Sequence, residues 1–234
     1  MQLYDFLAMK ILFLGRGKTG SLAADMARRR HHEVQVLGSA ENPGASALTA
    51  ASLRQIDIVV DFTSPAAILD NISACVRAGK SMVVGTTGWY NEIPRVRAMV
   101  ETAGTALLYG ANFSVGVNLF FDIARTAAAA LQHQYSGQIF ERHYAKKKDA
   151  PSGTAVMLRE TIHDACGKEL EIVSFREGDV VGMHEVVFDS PYDDIYLCHD
   201  AKSRLGFAEG AVRAAEWLAG KKGFFDFREV WREL

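Results

Sequence analysis

The segment ILFLGRGKTG (residues 11–20) joins two signals at one point of the chain. Ile11 to Leu14 form a continuously apolar run closed by Gly15, the pattern of a strand buried on both faces of a parallel sheet. Gly15-Arg16-Gly17-Lys18-Thr19-Gly20 then fits G-x-G-x-x-G, and SLAADMARRR (21–30) follows with Leu22, Met26 and alanines spaced for a helix packed on that sheet. Between a strand and a helix, such glycines permit a tight turn and close backbone approach. The helix start offers unpaired N–H groups and a positive dipole end to a pyrophosphate. A turn that is glycine-rich for steric reasons alone is the competing reading, and the surrounding pattern favours a dinucleotide. The loop is too short between Gly15 and Lys18 to be a Walker A site.

Moving outward, EVQVLG (33–38), IDIVVDFTSP (56–65), KSMVVGTTGW (80–89) and TALLYGANFS (105–114) predict four further strands. Pro65 is placed to open a helix over AAILDNISACVRAG, and IPRVRAMVETAG predicts another. This alternation implies an α/β fold of the Rossmann type, a doubly wound parallel sheet with right-handed crossovers. After Ser114 the pattern changes. A helix over 116–131 is followed by strand-like QIFERHYA (138–145), LEIVSF (170–175), HEVVFD (184–189) and DIYLCHDA (194–201). Gly and Asp turns between them suggest a smaller, mostly antiparallel α+β domain beginning near residue 113. The helix GAVRAAEWLAG (210–220) and a tail, GFFDFREVW, close the chain.

Among 234 residues, 49% are hydrophobic and 23% charged, with a formal net charge of −2, so the basic excess of a nucleic-acid footprint is missing. No apolar run approaches the ~20 residues of a bilayer span. MQLYDFLAMK lacks the basic start and cleavage site of a secretory signal, which points to a cytoplasmic protein. Met9, where MKILFLG opens into the strand, fits as a natural start, with residues 1–8 an extension. Cys75, Cys166 and Cys198 show no ligand spacing and are expected to be buried free thiols; no metal is expected.

An acid at the end of the second strand would hold the adenosine ribose in the NAD manner. That strand ends Val36-Leu37-Gly38-Ser39, and the first acid, Glu41, stands beyond the expected position. Arg16 and Lys18 put two cations in the loop, able to meet a 2′-phosphate. This favours NADPH, or dual use, over strict NADH; two simply solvated cations are the alternative. Gly85-Thr86-Thr87-Gly88 ends the fourth strand, where the carboxyl-end rule places a ligand crevice, so its hydroxyls and amides could hold a nicotinamide carboxamide. A plain turn is the alternative there. Gly110 to Ser114 occupies the equivalent place after the next strand, a hinge and cofactor rim.

The stretch ERHYAKKKDAPSGTA (141–155) concentrates polar chemistry. If 139–149 is extended, Glu141, His143, Ala145, Lys147 and Asp149 share a face, while Lys146 and Lys148 point away. Asp149-Ala150-Pro151-Ser152-Gly153-Thr154 reads as a helix opener with Pro151 near the first helical position. Its amides and hydroxyls suit an anion, most naturally a substrate carboxylate. A surface lysine run before an ordinary capped helix remains equally open on local sequence.

DFTSP with GTTGW, ANFSVGVN and KKKDAPSGTA, in this order, resemble the dihydrodipicolinate reductase family of the diaminopimelate–lysine pathway. GDVVGMH and KSRLGFAEGAVRAAEWL resemble its later segments, and the likeness covers about residues 9–230. The resemblance implies a cofactor domain of residues 1–112 plus 207–234 and an inserted substrate domain of 113–206, usually in a homotetramer. It also implies reduction of a small cyclic unsaturated dicarboxylate by NADH or NADPH to tetrahydrodipicolinate. Carried over by motif, His143 and Lys147 are the proton-handling pair, and Ser152, Gly153 and Thr154, with Tyr144 beside them, meet the substrate. Leu14, Gly15, Arg16, Gly17, Lys18 and Thr19, then Gly85, Thr86 and Thr87, then Gly110, Ala111, Asn112 and Phe113, contact the cofactor. Arg204 falls near the cofactor or the hinge. Two departures stand out: Tyr144 replaces a histidine common in the family, and Leu170 to Gly178 is short. A related amino-acid or imine dehydrogenase and a non-catalytic cofactor sensor are the competing functions; a sensor needs neither His143 nor Lys147.

Overall fold

Six short strands with apolar cores, β1 (Lys10–Leu14), β2 (Glu33–Leu37), β3 (Ile58–Asp61), β4 (Ser81–Val84), β5 (Ala106–Tyr109) and β10 (Gly223–Asp226), build one parallel sheet in the order β10-β5-β4-β3-β1-β2. This computed structural model describes residues 8–234; residues 1–7, most of the expected extension, lie outside them. Alternate strand residues face opposite layers. Ile11, Phe13, Ile58, Val60 and Val83 meet α1 (Lys18–Arg29) and α6 (Leu205–Leu218). Leu12, Leu14, Val59, Met82 and Val84 meet α2 (Ile68–Arg77) and α3 (Ile93–Ala103). The sheet is therefore doubly wound, as expected.

Two details of this sheet and its helices differ from the sequence expectation. The tail contributes β10, paired in parallel with β5 from Gly223↔Ala106 to Asp226↔Tyr109. Four residues are too few to show periodicity, and the pairing joins positions more than a hundred residues apart. The helix after Pro65 begins only at Ile68, because the Ser64 carbonyl first accepts the Ala67 and Ile68 amides in a turn.

The chain separates into two compact units, one running to Val115 and resuming over Leu205–Leu234, the other Gly116–Arg204. The second contains most of α4 (Val115–Ala127), then β6 (Ser136–His143), α5 (Gly153–Cys166), β7 (Glu171–Arg176), β8 (Met183–Asp189) and β9 (Asp194–Asp200). Its sheet order is β7-β6-β8-β9, with β6 and β7 parallel across α5 and the other pairs antiparallel. Ile139, Val186 and Phe188 pack against Phe120, Phe121 and Ala124 of α4 and Leu158 and Ile162 of α5. The extended stretch expected to reach Asp149 stops at His143. Its β7 partner ends at Arg176 and β8 begins only opposite Arg142, so no ladder exists beyond that point. Of the cysteines, only Cys75 is buried; Cys166 is half-buried and Cys198 is exposed, contrary to expectation. Among the described residues no helix is long and apolar enough to cross a membrane.

Candidate active site

The glycine loop is shaped by backbone crowding. Gly15 has φ +98°, and a Cβ there would lie 2.2 Å from the Phe62 carbonyl oxygen. A Cβ on Gly20 would meet the Gly15 carbonyl at 2.8 Å, so the helix can approach the strand only without a side chain. Gly17 differs: a Cβ would touch nothing in the protein within 4 Å. It is the N-cap of α1 and supplies no side-chain cap, so the first-turn amides face outward. A cleft of about 520 Å³ opens here, lined by Leu14, Gly15, Arg16, Gly17, Gly38 and Ser39 and, opposite, by Phe62 to Ser64. These features fit a dinucleotide pyrophosphate, with room for the ligand where the middle glycine lies. Lys18 is exposed at the start of α1, and Thr19 is half-buried behind it. Arg16 is not simply solvated: its guanidinium bonds Glu41 Oε1 at 2.7 Å.

The GTTG turn is tied down from beneath. Gly85 leaves space for the Phe62 ring, which a Cβ would meet at 2.1 Å. The hydroxyl of Thr86 is tied to the protein: it donates its one proton to Asp61 Oδ1 at 2.7 Å and accepts from the Thr63 amide at 2.7 Å. Its carbonyl accepts from the indole of buried Trp89. Asp61, fully buried, also accepts from the Thr63 amide and hydroxyl and from the Asn71 amide group. Burial pushes its carboxyl up, against the lowering effect of these bonds from Thr86, Thr63 and Asn71. Asp61 was missed in the sequence, although Asp-x-Thr at a strand end is the signature of a side chain bonding two residues on. Thr87 is exposed beside this brace. In the next segment Gly110 is buried against Phe227, Ala111 is exposed, and Asn112 Oδ1 accepts the Ser114 amide. The Phe113 side chain belongs to the core, packed on Phe62 and Phe227, so only its backbone can serve a ligand.

In the second unit, alternation along β6 turns Ile139, Glu141 and His143 inward. Glu141 has no exposed surface. Its Oε1 accepts from Arg176 at 2.7 Å and from the Ser152 amide at 3.3 Å, while Oε2 meets His143 Nδ1 in a very short contact. Burial alone would raise this carboxyl, but the bonds from Arg176 and Ser174 and the charge of His143 outweigh it and hold it at about 2. A carboxylate opposite Nδ1 keeps a proton on that nitrogen and makes Nε2 the basic atom. Nε2 turns toward Gly182, where a Cβ would come within 2.9 Å. Burial lowers His143, Glu141 raises it, and Lys147 and Arg176 lower it further; the net shift is downward.

Lys147 thus lies within electrostatic reach of His143, but by a turn rather than an extended strand: its amide bonds the Tyr144 carbonyl. Its ammonium is held by both oxygens of Asp149, at 2.7 and 2.8 Å. Lys146 and Lys148 are exposed. Pro151, after a cis bond from Ala150, lies before the helix and not at its first position, and Ser152 caps it, accepting from the Ala155 amide. Ser152 is buried, and its hydroxyl also pairs with His184 Nε2 at 3.1 Å, so it serves the scaffold and leaves Gly153 and Thr154 at the open mouth of α5. A Cβ on Gly153 would touch nothing. Tyr144 is half-buried, with the Arg204 guanidinium 5.7 Å from its ring centre. Alternation had placed Glu141 on the His143 face without giving it a role, while Arg176 and His184 were not singled out; they come from β7 and β8 and needed the sheet order. Glu141, His143 and His184 offer ligand atoms within 4.8 Å of one another. Both Glu141 oxygens are already engaged and two cations stand nearby, an arrangement suited to proton handling more than to a metal.

Comparison with known proteins agrees with this architecture. The family described as "Dihydrodipicolinate reductase, N-terminus" matches residues 9–113, and "Dihydrodipicolinate reductase, C-terminus" matches residues 116–231. The 4-hydroxy-tetrahydrodipicolinate reductase of Christiangramia forsetii is 35% identical over 97% of this chain and 99% of its own length. That of Chromobacterium violaceum is 40% identical over 77% of this chain and 75% of its own. A dipicolinate-bound dihydrodipicolinate reductase from Paenisporosarcina sp. TG-14 shares the fold with a TM-score of 0.77 at 22% identity, covering 96% of this chain and 100% of that one.

Proposed function

The chain belongs to the dihydrodipicolinate reductase family, and on that footing we propose that it reduces 4-hydroxy-tetrahydrodipicolinate to tetrahydrodipicolinate in diaminopimelate and lysine biosynthesis. It is an oxidoreductase that uses a nicotinamide cofactor; our reading is that NADPH and NADH both serve, in a cytoplasmic homotetramer. The observation that carries the catalytic part is the buried Arg176–Glu141–His143 row, with Lys147 close enough to bear on the imidazole. The bound nicotinamide supplies the hydride. Adding it to a conjugated imine leaves negative charge on the substrate, and this chain must hold that charge and deliver a proton.

His143 Nε2 carries the proton in this reading. Burial keeps the imidazole mostly neutral near pH 7, and a dicarboxylate beside it would raise its affinity for a proton, as Glu141 already does. Lys147 offsets the developing charge. Asp149 holds the ammonium without exhausting its three donors. Gly153 and Thr154, opening a helix of 14 residues, take a substrate carboxylate at the positive dipole end. Tyr144, backed by Arg204, takes the place of the family's histidine, with the guanidinium providing the positive charge a phenol lacks near neutral pH. A coupled assay tests the function: synthase plus this protein, following nicotinamide absorbance with NADH and NADPH in parallel. Oxidation that depends on the synthase product is expected; none with either cofactor would refute the assignment. Light scattering on the purified protein tests the tetramer, for which exposed Phe175 and Tyr196, on the face of the four-stranded sheet turned away from α4 and α5, speak.

A further inference from the structure

Three elements converge on one buried carboxylate beside the cofactor cleft. Asp61 ends β3 with no exposed surface, and its carbonyl accepts the Gly85 amide, so the GTTG turn starts directly next to it. Its side chain reaches further. Oδ1 accepts from the Thr63 amide at 2.9 Å, the Thr63 hydroxyl at 2.8 Å and the Thr86 hydroxyl at 2.7 Å. Oδ2 accepts from the Asn71 amide group of α2 at 2.8 Å, and Asn71 in turn accepts from Asn42 at 3.0 Å. Because the Thr63 amide also donates to the Thr86 hydroxyl at 2.7 Å, Asp61, Thr63 and Thr86 close a ring. Thr63, Asn71 and Asn42 line the cleft of the glycine loop, whereas Thr86 belongs to the turn after β4. All of these donors are neutral. A carboxylate at this depth carries a desolvation cost that an apolar residue in its place would not. What it provides is direction: one group with lone pairs enough to hold the cleft wall and the turn at the same spacing.

We propose that Asp61 is a positioning residue that sets the GTTG turn, through the Thr86 hydroxyl, at the distance from the phosphate cleft that one dinucleotide spans. The inference rests on the reading that the glycine loop takes the pyrophosphate and the turn takes the nicotinamide end. Asp61 has no surface to offer a ligand, and Thr86 is buried with it. Exposed Thr87 and the backbone of the turn are what the nicotinamide meets. Trp89 secures the same residue from the other side, its buried indole donating to the Thr86 carbonyl at 2.8 Å. Two ends of one ligand gain from being joined only while their sites keep a fixed spacing. A turn displaced by about an ångström gives up much of that gain.

The test separates the two ends of the cofactor. Dissociation constants are measured for NADH against ADP-ribose and for NADPH against 2′-phospho-ADP-ribose, each pair differing only in the nicotinamide. The proteins are the wild-type chain, Thr86→Val, Thr86→Ser, Asp61→Asn and the doubly substituted Asp61→Asn/Thr86→Val, with thermal midpoints as a folding check. Thr86→Val should weaken the dinucleotides about tenfold, the lower end for a hydrogen bond to a charged group. The matching ADP-ribose should stay within about twofold, and the fluorescence anisotropy of bound NADH should fall as its nicotinamide loosens. Thr86→Ser keeps the hydroxyl and should restore both readings. Asp61→Asn should lower the preference for the nicotinamide-bearing ligand in the wild-type background and not in the Thr86→Val background. A preference unchanged in Thr86→Val, or an Asp61→Asn loss that persists in full in that background, overturns the proposal. A wild-type chain that binds each dinucleotide no tighter than its ADP-ribose overturns the nicotinamide reading of the turn, and this inference with it.

Discussion

The phosphate loop and the proton site are built from opposite materials. At the loop, backbone does the work: Gly15, Gly17 and Gly20 matter for atoms they lack, and the ligand-facing groups are helix amides. At the proton site, five side chains from β6, β7, β8 and α5 interlock, with Glu141 wholly buried at the centre. A backbone site is damaged by adding atoms, whereas a side-chain site is damaged by removing or neutralising them. The contrast also separates binding from chemistry, because substitutions in one unit should leave the measured property of the other nearly intact.

The largest expected effect would break that separation if it failed. His143→Ala and Lys147→Ala should each lower kcat by about 10²–10⁴-fold while the dinucleotide Kd stays within about twofold, the scatter expected of independent sites. Parallel turnover and fluorescence titrations check this, and retained turnover in both variants would refute the catalytic assignment. Next comes Glu141→Gln, which removes a charged hydrogen bond worth about 1.5–3 kcal/mol. Without the carboxylate the His143 pKa falls further. The basic limb of kcat/KM, where the protonated imidazole is lost, should therefore move to lower pH. A merely structural role would lower the rate without moving that limb. Arg176, Lys147 and His184 also bear on this environment and stay in place.

Within the loop, Gly15→Ala forces a strained φ and a clash, costing about 1–3 kcal/mol, so both thermal midpoint and cofactor binding should fall. Gly17→Ala should weaken cofactor binding at an unchanged midpoint, since the new methyl meets only ligand space. Equal midpoint losses in the two variants would contradict this division. Acid stability reads the same buried cluster from its other histidine. Burial, aided by the charge of His143, depresses His184 from its ordinary 6.5 to about 3. The unfolded chain binds that proton first, so the stabilisation is complete above about pH 6.5 and is lost as pH falls toward 3. Circular-dichroism melts across that window should show the decline, with a shallower slope in His184→Gln. His143 and His199, also lowered, retain part of it.

The parallel sheet, the glycine loop and the change of pattern near residue 113 were legible because each rests on local chemistry: apolar periodicity, glycine spacing and turn residues. His143 and Lys147 were legible as residues, but the extended strand invoked to join them does not exist; a turn at Tyr144–Lys147 does so. Ser152 was read as a ligand group and is a buried cap, and the Thr86 hydroxyl gives its one proton to Asp61. In both cases the residue type was informative and the direction of its hydrogen bond was not.

Local sequence thus determined which segments become strands and helices and which glycines must carry no side chain, since those properties depend on neighbours along the chain. Tertiary structure alone decided that β10 completes the sheet, that Glu41 returns to meet Arg16, and that Arg176 and His184 surround Glu141 and His143. Each of these joins residues 25 or more positions apart, except the turn that carries Glu41 back to Gly38. Their partners are fixed by strand order and burial, where a charge survives only if another group meets it.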